Sequence, residues 1–273
     1  MTPLKRLIGL IKASHPEPVA AVTLLATLLA IGAGRGTHYG LVILGAVLTG
    51  QLAVGWANDY MDADLDAAEG RLDKPVIVGE VGHITVGIAA VLALIACIPL
   101  SLEAGRAAAG AHFIAIGAAL AYNAGLKKTP LSVIPYGVAF GMLPAFITLG
   151  PPINHFPSVW ATLAGVLAGC AAHFAQSLPD IEKDRKFEIF GLPQMVGPQL
   201  SAVMAAVLFA GAATVVTVGA PSRPLYLALA LVIVLMVAVV ATAMLGRLKI
   251  AFQLTVISAV AMIVALVVGG GSF

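Results

Sequence analysis

Long apolar runs occupy most of this chain and constrain its fold more than any other feature. Nine runs near 20 residues in length are separated by turn-forming breaks such as Gly150-Pro151-Pro152. A helix needs about 20 apolar residues to cross a bilayer core of about 30 Å, and these runs are continuous rather than alternating as in a membrane β-barrel. The chain is therefore predicted to be an all-α, polytopic membrane protein.

The composition agrees with this class. Hydrophobic residues make up 60% of the chain and charged residues only 10%, whereas soluble domains carry about 25% charged residues. The formal net charge of +2 gives no reason to expect a nucleic-acid partner. Residues 1–273 are predicted to form one integral-membrane domain with the lipid bilayer as its surroundings. The nine predicted spans lie near 16–34, 39–57, 83–101, 106–124, 131–150, 158–178, 197–219, 224–246 and 250–270.

Basic residues predict the direction in which the chain crosses the membrane. If the connections between the nine spans alternate between the two faces, all but three of the 15 basic residues fall on the side of the N-terminus. The three exceptions are Arg35, Arg106 and Arg223. Since Lys and Arg are enriched in cytoplasmic connections, the N-terminus is predicted to be cytoplasmic and the C-terminus outside, in the plasma membrane.

Acidic residues are concentrated in two stretches, and both open on the predicted cytoplasmic face. Seven of the 13 acidic residues lie within 59–80 and four lie within 180–188. In the first stretch Asp59, Asp62 and Asp66 are spaced to share one face of a helix. Aligned carboxylates repel one another, and the cost increases near a membrane. A bound cation is the expected compensation.

The second stretch repeats this pattern, with Asp180, Asp184 and Glu188 at steps of four residues. Carboxylates with one Asn amide, and without clustered Cys or His, are the ligands that suit Mg²⁺ or Mn²⁺. Mg²⁺ usually binds few protein ligands and leaves coordination positions for a phosphate. The two stretches therefore predict a metal site that holds a diphosphate. The alternative, a solvated acidic connection, is expected for the residues off these faces: Asp64, Glu69, Asp73, Glu80 and Glu182.

These stretches resemble the motifs of one known family, the UbiA superfamily of intramembrane prenyltransferases. The segment NDYMDADLD (58–66) is similar to its first motif, NDxxDxxxD, and DIEKD (180–184) to its second, DxxxD. Three further segments match the family: RLDKP (71–75), Tyr122 with KKT (127–129), and GLP (191–193). In the last of these, Gly191 stands where the family usually has threonine.

The resemblance implies a helical bundle around a central cavity that binds an isoprenyl diphosphate through Mg²⁺. It implies transfer of the prenyl group to a lipophilic acceptor, often aromatic, as in quinone biosynthesis. By their places in the two motifs, the residues expected at the metal and the diphosphate are Asn58, Asp59, Asp62, Asp66, Asp180 and Asp184. Those expected to contact the diphosphate directly are Arg71, Lys74, Tyr122, Lys127 and Lys128.

Several polar residues inside or beside the spans could face an acceptor. His173 and Gln176 form a stripe that leads to Asp180, and Asn123 adjoins Tyr122. Glu17 at the start of the first span could orient an acceptor. Helix–helix hydrogen bonds or an interfacial position are the alternative interpretations of these residues.

Two other functions remain open at this point. A terpene cyclase of the same superfamily would use the same metal site without an external acceptor. A transporter lined by carboxylates would be expected to place its acidic residues near the midplane, whereas both acidic stretches here follow the end of a span.

Overall fold

The computed structural model describes residues 3–187 and 189–270, and within these ranges the chain is helical and contains no strand. The helices before residue 150 are α1 (Pro3–Ala13), α2 (Pro16–Gly32), α3 (Gly36–Met61), α4 (Ala63–Ala68), α5 (His83–Glu103), α6 (Arg106–Asn123), α7 (Ile134–Gly141) and α8 (Leu143–Thr148). The later helices are α9 (Val159–Ser177), α10 (Ile181–Lys186), α11 (Leu192–Val196), α12 (Pro198–Gly219), α13 (Arg223–Met244) and α14 (Leu248–Val268).

Among the described residues, seven helical segments are long and apolar enough to cross a membrane. They are α3, α5, α9, α12, α13, α14 and the segment Pro130–Thr148, which contains a 3-10 turn, α7 and α8. Helices α1 and α2 together pass the same test, with a bend of 61°, and would make an eighth span. The protein is therefore an integral membrane protein.

The predicted fourth span corresponds to α6, which does not reach the same apolarity. Arg106, His112 and Asn123 lower its hydropathy. Seven or eight spans are thus supported by length and composition, while nine spans and the orientation of the termini remain predictions.

The helices close into a ring. Helix α3 packs against α2, α5 and α6, α6 packs against α7 and α8, and α9 packs against α7 and α12. Helix α13 packs against α14, and α14 returns to α2 and α9. A cavity lies inside the arc formed by α2, α3 and α6 to α9, and in the described part of the chain α12 to α14 contribute no residue to its wall.

The bend between α1 and α2 brings His15 toward the end of α3. His15 has φ 57°, a left-handed conformation, and Pro16 starts α2. The bend touches α3 at Gly55, where a Cβ atom would lie 2.2 Å from the Ser14 carbonyl oxygen. Because only glycine allows this approach, Gly55 fixes the position of the bend beside Asp59.

Candidate active site

The cavity has a volume of about 540 Å³ and divides into a polar end and an apolar remainder. The polar end lies where α3, α6 and α9 finish, and the apolar part includes Val19, Val47, Ile116, Phe140 and Phe146. Most predicted site residues meet at the polar end, although they come from distant parts of the sequence. Its charged and amide-bearing lining residues are Asn58, Asp62, Asp66, Glu69, Arg71, Lys74, Asn123, Lys127, Gln176, Asp180, Asp184 and Gln194.

Asp62 is the C-cap residue of α3 and is held by two partners. The Lys127 ammonium donates to both oxygens of its carboxylate, and Asn58 Nδ2 donates to Asp62 Oδ2 at 2.8 Å. Asn58 Nδ2 also reaches Asn123 Oδ1 at 3.3 Å, which links α3 to α6. The first motif and the Lys127 segment therefore face each other across the polar end.

Lys74 lies between two carboxylates. Its Nζ atom donates to Asp59 Oδ1 at 2.6 Å and lies 3.7 Å from Asp66 Oδ2. Asp66 is buried in α4, and burial raises its pKa, with the nearby Asp62 and Asp59 charges adding to the increase against the effect of Lys74. Asp66 thus presents a carboxylate whose charge needs a cation beside it.

The structure places Asp59 behind the cavity, away from the wall to which the other motif residues contribute. Its side chain is 1% exposed, and its Oδ1 atom accepts hydrogen bonds from Lys74 and, at 2.8 Å, from His15 Nε2. The motif resemblance implies a metal ligand at Asp59, whereas the structure places its carboxylate against Lys74 and His15 behind the cavity wall.

Arg71 is engaged by acidic neighbours. Its Nε and Nη2 atoms donate to Asp73 at 2.9 and 2.8 Å, which raises the pKa of Arg71 and lowers the pKa of Asp73 to about 2. Glu69 Oε2 lies 3.8 Å from Arg71 Nη1 and 3.6 Å from Lys183 Nζ. The Glu69 side chain is 4% exposed and lines the cavity, so the interpretation of Glu69 as solvated is wrong.

The second motif completes the polar end. Asp180 immediately precedes α10 and Asp184 lies within it, and Gln194 Nε2 donates to Asp184 Oδ2 at 2.7 Å. Burial raises the pKa of Asp184, and the charges of Asp180 and Glu69 add to this increase against the Gln194 hydrogen bond. The two acidic stretches thus influence each other electrostatically across one cavity. Glu188 lies outside the described residues.

Three residues proposed for the site, in addition to Asp59, lie outside the cavity wall. Lys128 and Glu17 are exposed at positions that do not line it. His173 is buried, and its Nε2 atom shares a hydrogen bond of 2.9 Å with Ser132 Oγ, so the helix–helix alternative describes it better. Tyr122 and Gln176 do line the cavity, and Gln176 Oε1 accepts a bond of 3.0 Å from the Tyr136 hydroxyl.

Gln194 was not found from the sequence, although the neighbouring GLP segment marked the region. Gly191 approaches the Lys127 backbone so closely that a Cβ atom would lie 2.5 Å from the Lys127 carbonyl oxygen. The Leu192 amide donates to Ser132 Oγ at 2.8 Å. Glycine at position 191, where the family usually has threonine, therefore lets this segment pack close enough to present Gln194 to Asp184.

The donor set fits a hard divalent cation. The cavity carboxylates of Asp62, Asp66, Asp180 and Asp184 offer oxygen ligands only. Within the described residues, no three His, Cys, Asp or Glu side chains gather as a preformed metal cage. Mg²⁺ usually binds through one or two carboxylates and completes its coordination with water and substrate phosphate, so this dispersed arrangement suits a metal that arrives with a phosphate ligand.

These features define a class of protein: a helical membrane protein whose internal cavity combines carboxylates and cations at one end with an apolar chamber. A sequence model of the UbiA prenyltransferase family matches residues 18–267. The chain belongs to this family.

Solved structures share the fold at low sequence identity. An apo UbiA homologue from Aeropyrum pernix K1 has a TM-score of 0.75 and 19% identity, covering 92% of this chain and 98% of that chain. A structure of digeranylgeranylglyceryl phosphate synthase in membranes has a TM-score of 0.71 and 16% identity, covering 97% and 98%. A UbiA homologue from Archaeoglobus fulgidus bound to GPP and Mg²⁺ has a TM-score of 0.68 and 14% identity, covering 94% and 99%. No protein of curated function matches the sequence.

Proposed function

We propose that this protein is a Mg²⁺-dependent prenyltransferase that moves an isoprenyl group from an allylic diphosphate to a lipophilic, aromatic acceptor. One observation carries the proposal: carboxylates from both motifs and several cationic side chains line the same end of a cavity whose remainder is apolar. This division matches a substrate with a charged diphosphate and a hydrocarbon tail. The Archaeoglobus fulgidus relative bound to GPP and Mg²⁺ supports the same assignment.

The polar end would hold the diphosphate. Asp62, Asp66, Asp180 and Asp184, assisted by the Asn58 amide, are the proposed ligands for Mg²⁺, which when bound supplies positive charge that stabilises the departing diphosphate. Lys127 and Lys74 lie against these carboxylates. Each can turn its ammonium toward a phosphate oxygen as the leaving group gains charge. Arg71 and the Tyr122 hydroxyl add donors to the same wall.

The apolar chamber would protect the reactive carbon. When the bond between C1 of the prenyl group and oxygen breaks, its electron pair leaves with the diphosphate and C1 becomes an allylic cation. Side chains such as Val47, Ile116 and Phe146 exclude water that would otherwise trap this cation. An aromatic acceptor would then form the new carbon–carbon bond and lose a proton.

The reaction can be tested with purified protein in detergent, supplied with Mg²⁺ and geranyl, farnesyl or geranylgeranyl diphosphate. Each incubation is run with and without acceptors, both phenolic acids and neutral phenols, and products are identified by mass spectrometry. Prenylated phenol together with released diphosphate would support a transferase with an aromatic acceptor. A cyclic hydrocarbon formed without any acceptor would show a terpene cyclase instead, and no diphosphate release under any condition would contradict both.

We also propose that the polar end opens to the cytoplasm at the plasma membrane, because the basic connections lie on the same predicted face. An Asp73→Cys variant, made after replacement of Cys97 and Cys170, tests this orientation. We expect a membrane-impermeant maleimide to label it only in inside-out vesicles, since Asp73 has a 64% exposed side chain beside the polar end. Equal labelling of intact cells would place this loop outside and reverse the topology.

Gln194 is expected to act by positioning Asp184. The variant Gln194→Leu should raise the Mg²⁺ concentration required for half-maximal activity by roughly tenfold. This is the lower end of the change in metal affinity expected when a residue that orients a metal ligand is lost. The bond from Gln194 Nε2 to Asp184 is the cause. Gln199→Leu, on an exposed position of α12, is the matched control and should keep the wild-type requirement. If Gln194→Leu and Gln199→Leu required the same Mg²⁺ concentration, Gln194 would not position Asp184.

A further inference from the structure

The apolar part of the cavity contains two polar side chains that the proposed function does not use, Gln51 on α3 and His112 on α6. His112 is 6% exposed, and its ring stacks on Phe146 with the ring centroids 4.3 Å apart. A polar group buried to this extent normally has all its hydrogen-bonding atoms occupied. The partners of its two ring nitrogens therefore show whether His112 has a purely structural role.

One ring nitrogen is occupied. His112 Nδ1 lies 2.8 Å from Ser101 Oγ, and the Ser101 hydroxyl donates to the Cys97 carbonyl oxygen at 2.8 Å. The serine hydrogen is used in this second bond, so the serine oxygen is free to accept a proton from Nδ1. Since neutral imidazole carries a single N–H group, this chain of bonds places the proton on Nδ1 and leaves a lone pair on Nε2.

The other ring nitrogen is open. Within the part of the chain that the structure describes, His112 Nε2 has no hydrogen-bond partner. The neighbouring helix contributes Gly50, where even a Cβ atom would lie 3.4 Å from Nε2. Because position 50 is glycine, no side chain from this position of α3 occupies the space beside Nε2. His112 lines the cavity, and an acceptor atom in an apolar wall that has no protein partner can take a donor from a ligand.

We propose that His112 Nε2 accepts a hydrogen bond from a hydroxyl group on a neutral, lipophilic acceptor substrate, with Gln51 as a second polar contact. This rests on the proposed function and names its acceptor class. Gln51 precedes Asn58 by seven residues on α3, about 10 Å along the helix axis. The hydroxyl would therefore bind away from the diphosphate end, on the far side of the reacting carbon.

The same geometry excludes an acidic group from this position. The lone pair on Nε2 would repel a carboxylate, and the surrounding wall of Val47, Ile116 and Phe146 offers no cation to offset its charge. The site thus selects phenols and alcohols over phenolic acids that would place their carboxylate here.

The test uses a matched pair of probes, 2-naphthol and 2-methoxynaphthalene, and titrates each into wild-type protein and His112→Phe in lipid nanodiscs. Partition into lipid is the same for both proteins, so the ratio of the two affinities isolates the hydroxyl contact. We expect the preference for naphthol over its methyl ether to be roughly tenfold greater in the wild type, the effect of one hydrogen bond to a buried acceptor. His112→Gln, which places an amide near Nε2, should restore part of this preference.

Nitrogen NMR of protein labelled on histidine gives a second measurement, which does not depend on whether His112→Phe folds. The His112 signal, assigned by its loss in His112→Gln and its retention in His155→Gln, should show an unprotonated Nε2 that shifts on addition of naphthol and not of its ether. Equal probe preferences in wild type and variants, or a proton on Nε2, would overturn the proposal. Diphosphate release by the wild type is measured separately. Its absence would contradict the proposed function, whereas the naphthol titrations test the His112 contact alone.

Discussion

Asp62→Ala and Asp184→Ala are each expected to lower kcat/KM for the release of diphosphate roughly a hundredfold or more, the scale on which preorganised electrostatic contacts act. Each carboxylate comes from a different motif and faces the same cavity. Removal of Asp62 leaves the Lys127 ammonium without its partner, and removal of Asp184 leaves Gln194 without its acceptor. Either loss takes away a proposed Mg²⁺ ligand at the place where charge develops on the leaving group.

The chain offers close controls for both substitutions. Asp64→Ala changes an exposed residue of α4 and Glu182→Ala an exposed residue of α10, and neither lines the cavity. Both controls should keep wild-type turnover, measured as phosphate after treatment with a pyrophosphatase. Size-exclusion profiles in detergent should match for all four variants, and thermal unfolding measures how much stability Asp62→Ala loses by leaving Lys127 without its partner. Full turnover by Asp62→Ala or Asp184→Ala would contradict the assignment of the two motifs.

The sequence predicted which carboxylates meet, because apolar runs and motif positions are local properties. Helices α3 and α9 are long continuous runs, and the polar residues at their ends must lie at the same end of the bundle once the connections alternate. Asp62 and Asp184 could therefore be placed at one site from the sequence. The position of Lys127 at the same end of the cavity also followed from its motif.

Asp59 shows why the rest could not be predicted. Helical spacing places Asp59, Asp62 and Asp66 on one face, and backbone hydrogen bonds from the Asp62 and Asp66 amides to the carbonyl oxygens four residues earlier continue the helical turn from α3 into α4. Contacts with Lys74 and His15 nevertheless hold Asp59 behind the cavity wall. Such contacts depend on tertiary packing that residue spacing does not contain.

Glu69 and Gln194 illustrate a second limit. Both are polar residues in short connecting segments, where the sequence pattern is compatible with full exposure. Glu69 becomes buried because Arg71 and Lys183 approach it from two segments. Gln194 reaches Asp184 from a segment that Gly191 allows to pack close to the Lys127 backbone. Burial of a charged residue requires partners, and these partners become known only with the fold.

Lys74→Met is expected to lower the free energy of unfolding by about 3–5 kcal/mol, the usual cost of removing one partner from a buried ion pair. The side chains of Asp59 and Lys74 are 1% and 10% exposed. Asp59 Oδ2 already has no hydrogen-bond partner among the described residues. Without Lys74, the buried carboxylate would keep only its bond to His15.

Two comparisons separate this effect from a general loss of lysine. Lys12→Met removes an ion pair with Glu80 of similar length, 3.0 Å, whose side chains are 53% and 36% exposed, and exposed pairs contribute only about 0–1 kcal/mol. The double variant Asp59→Asn with Lys74→Met removes the stranded charge and should be more stable than Lys74→Met alone, a non-additive result typical of contacting residues. Unfolding is followed by tryptophan fluorescence during titration with SDS in mixed micelles. If Lys74→Met and Lys12→Met unfold at the same SDS fraction, Asp59 does not depend on Lys74 for its burial, and its position behind the cavity would need another cause.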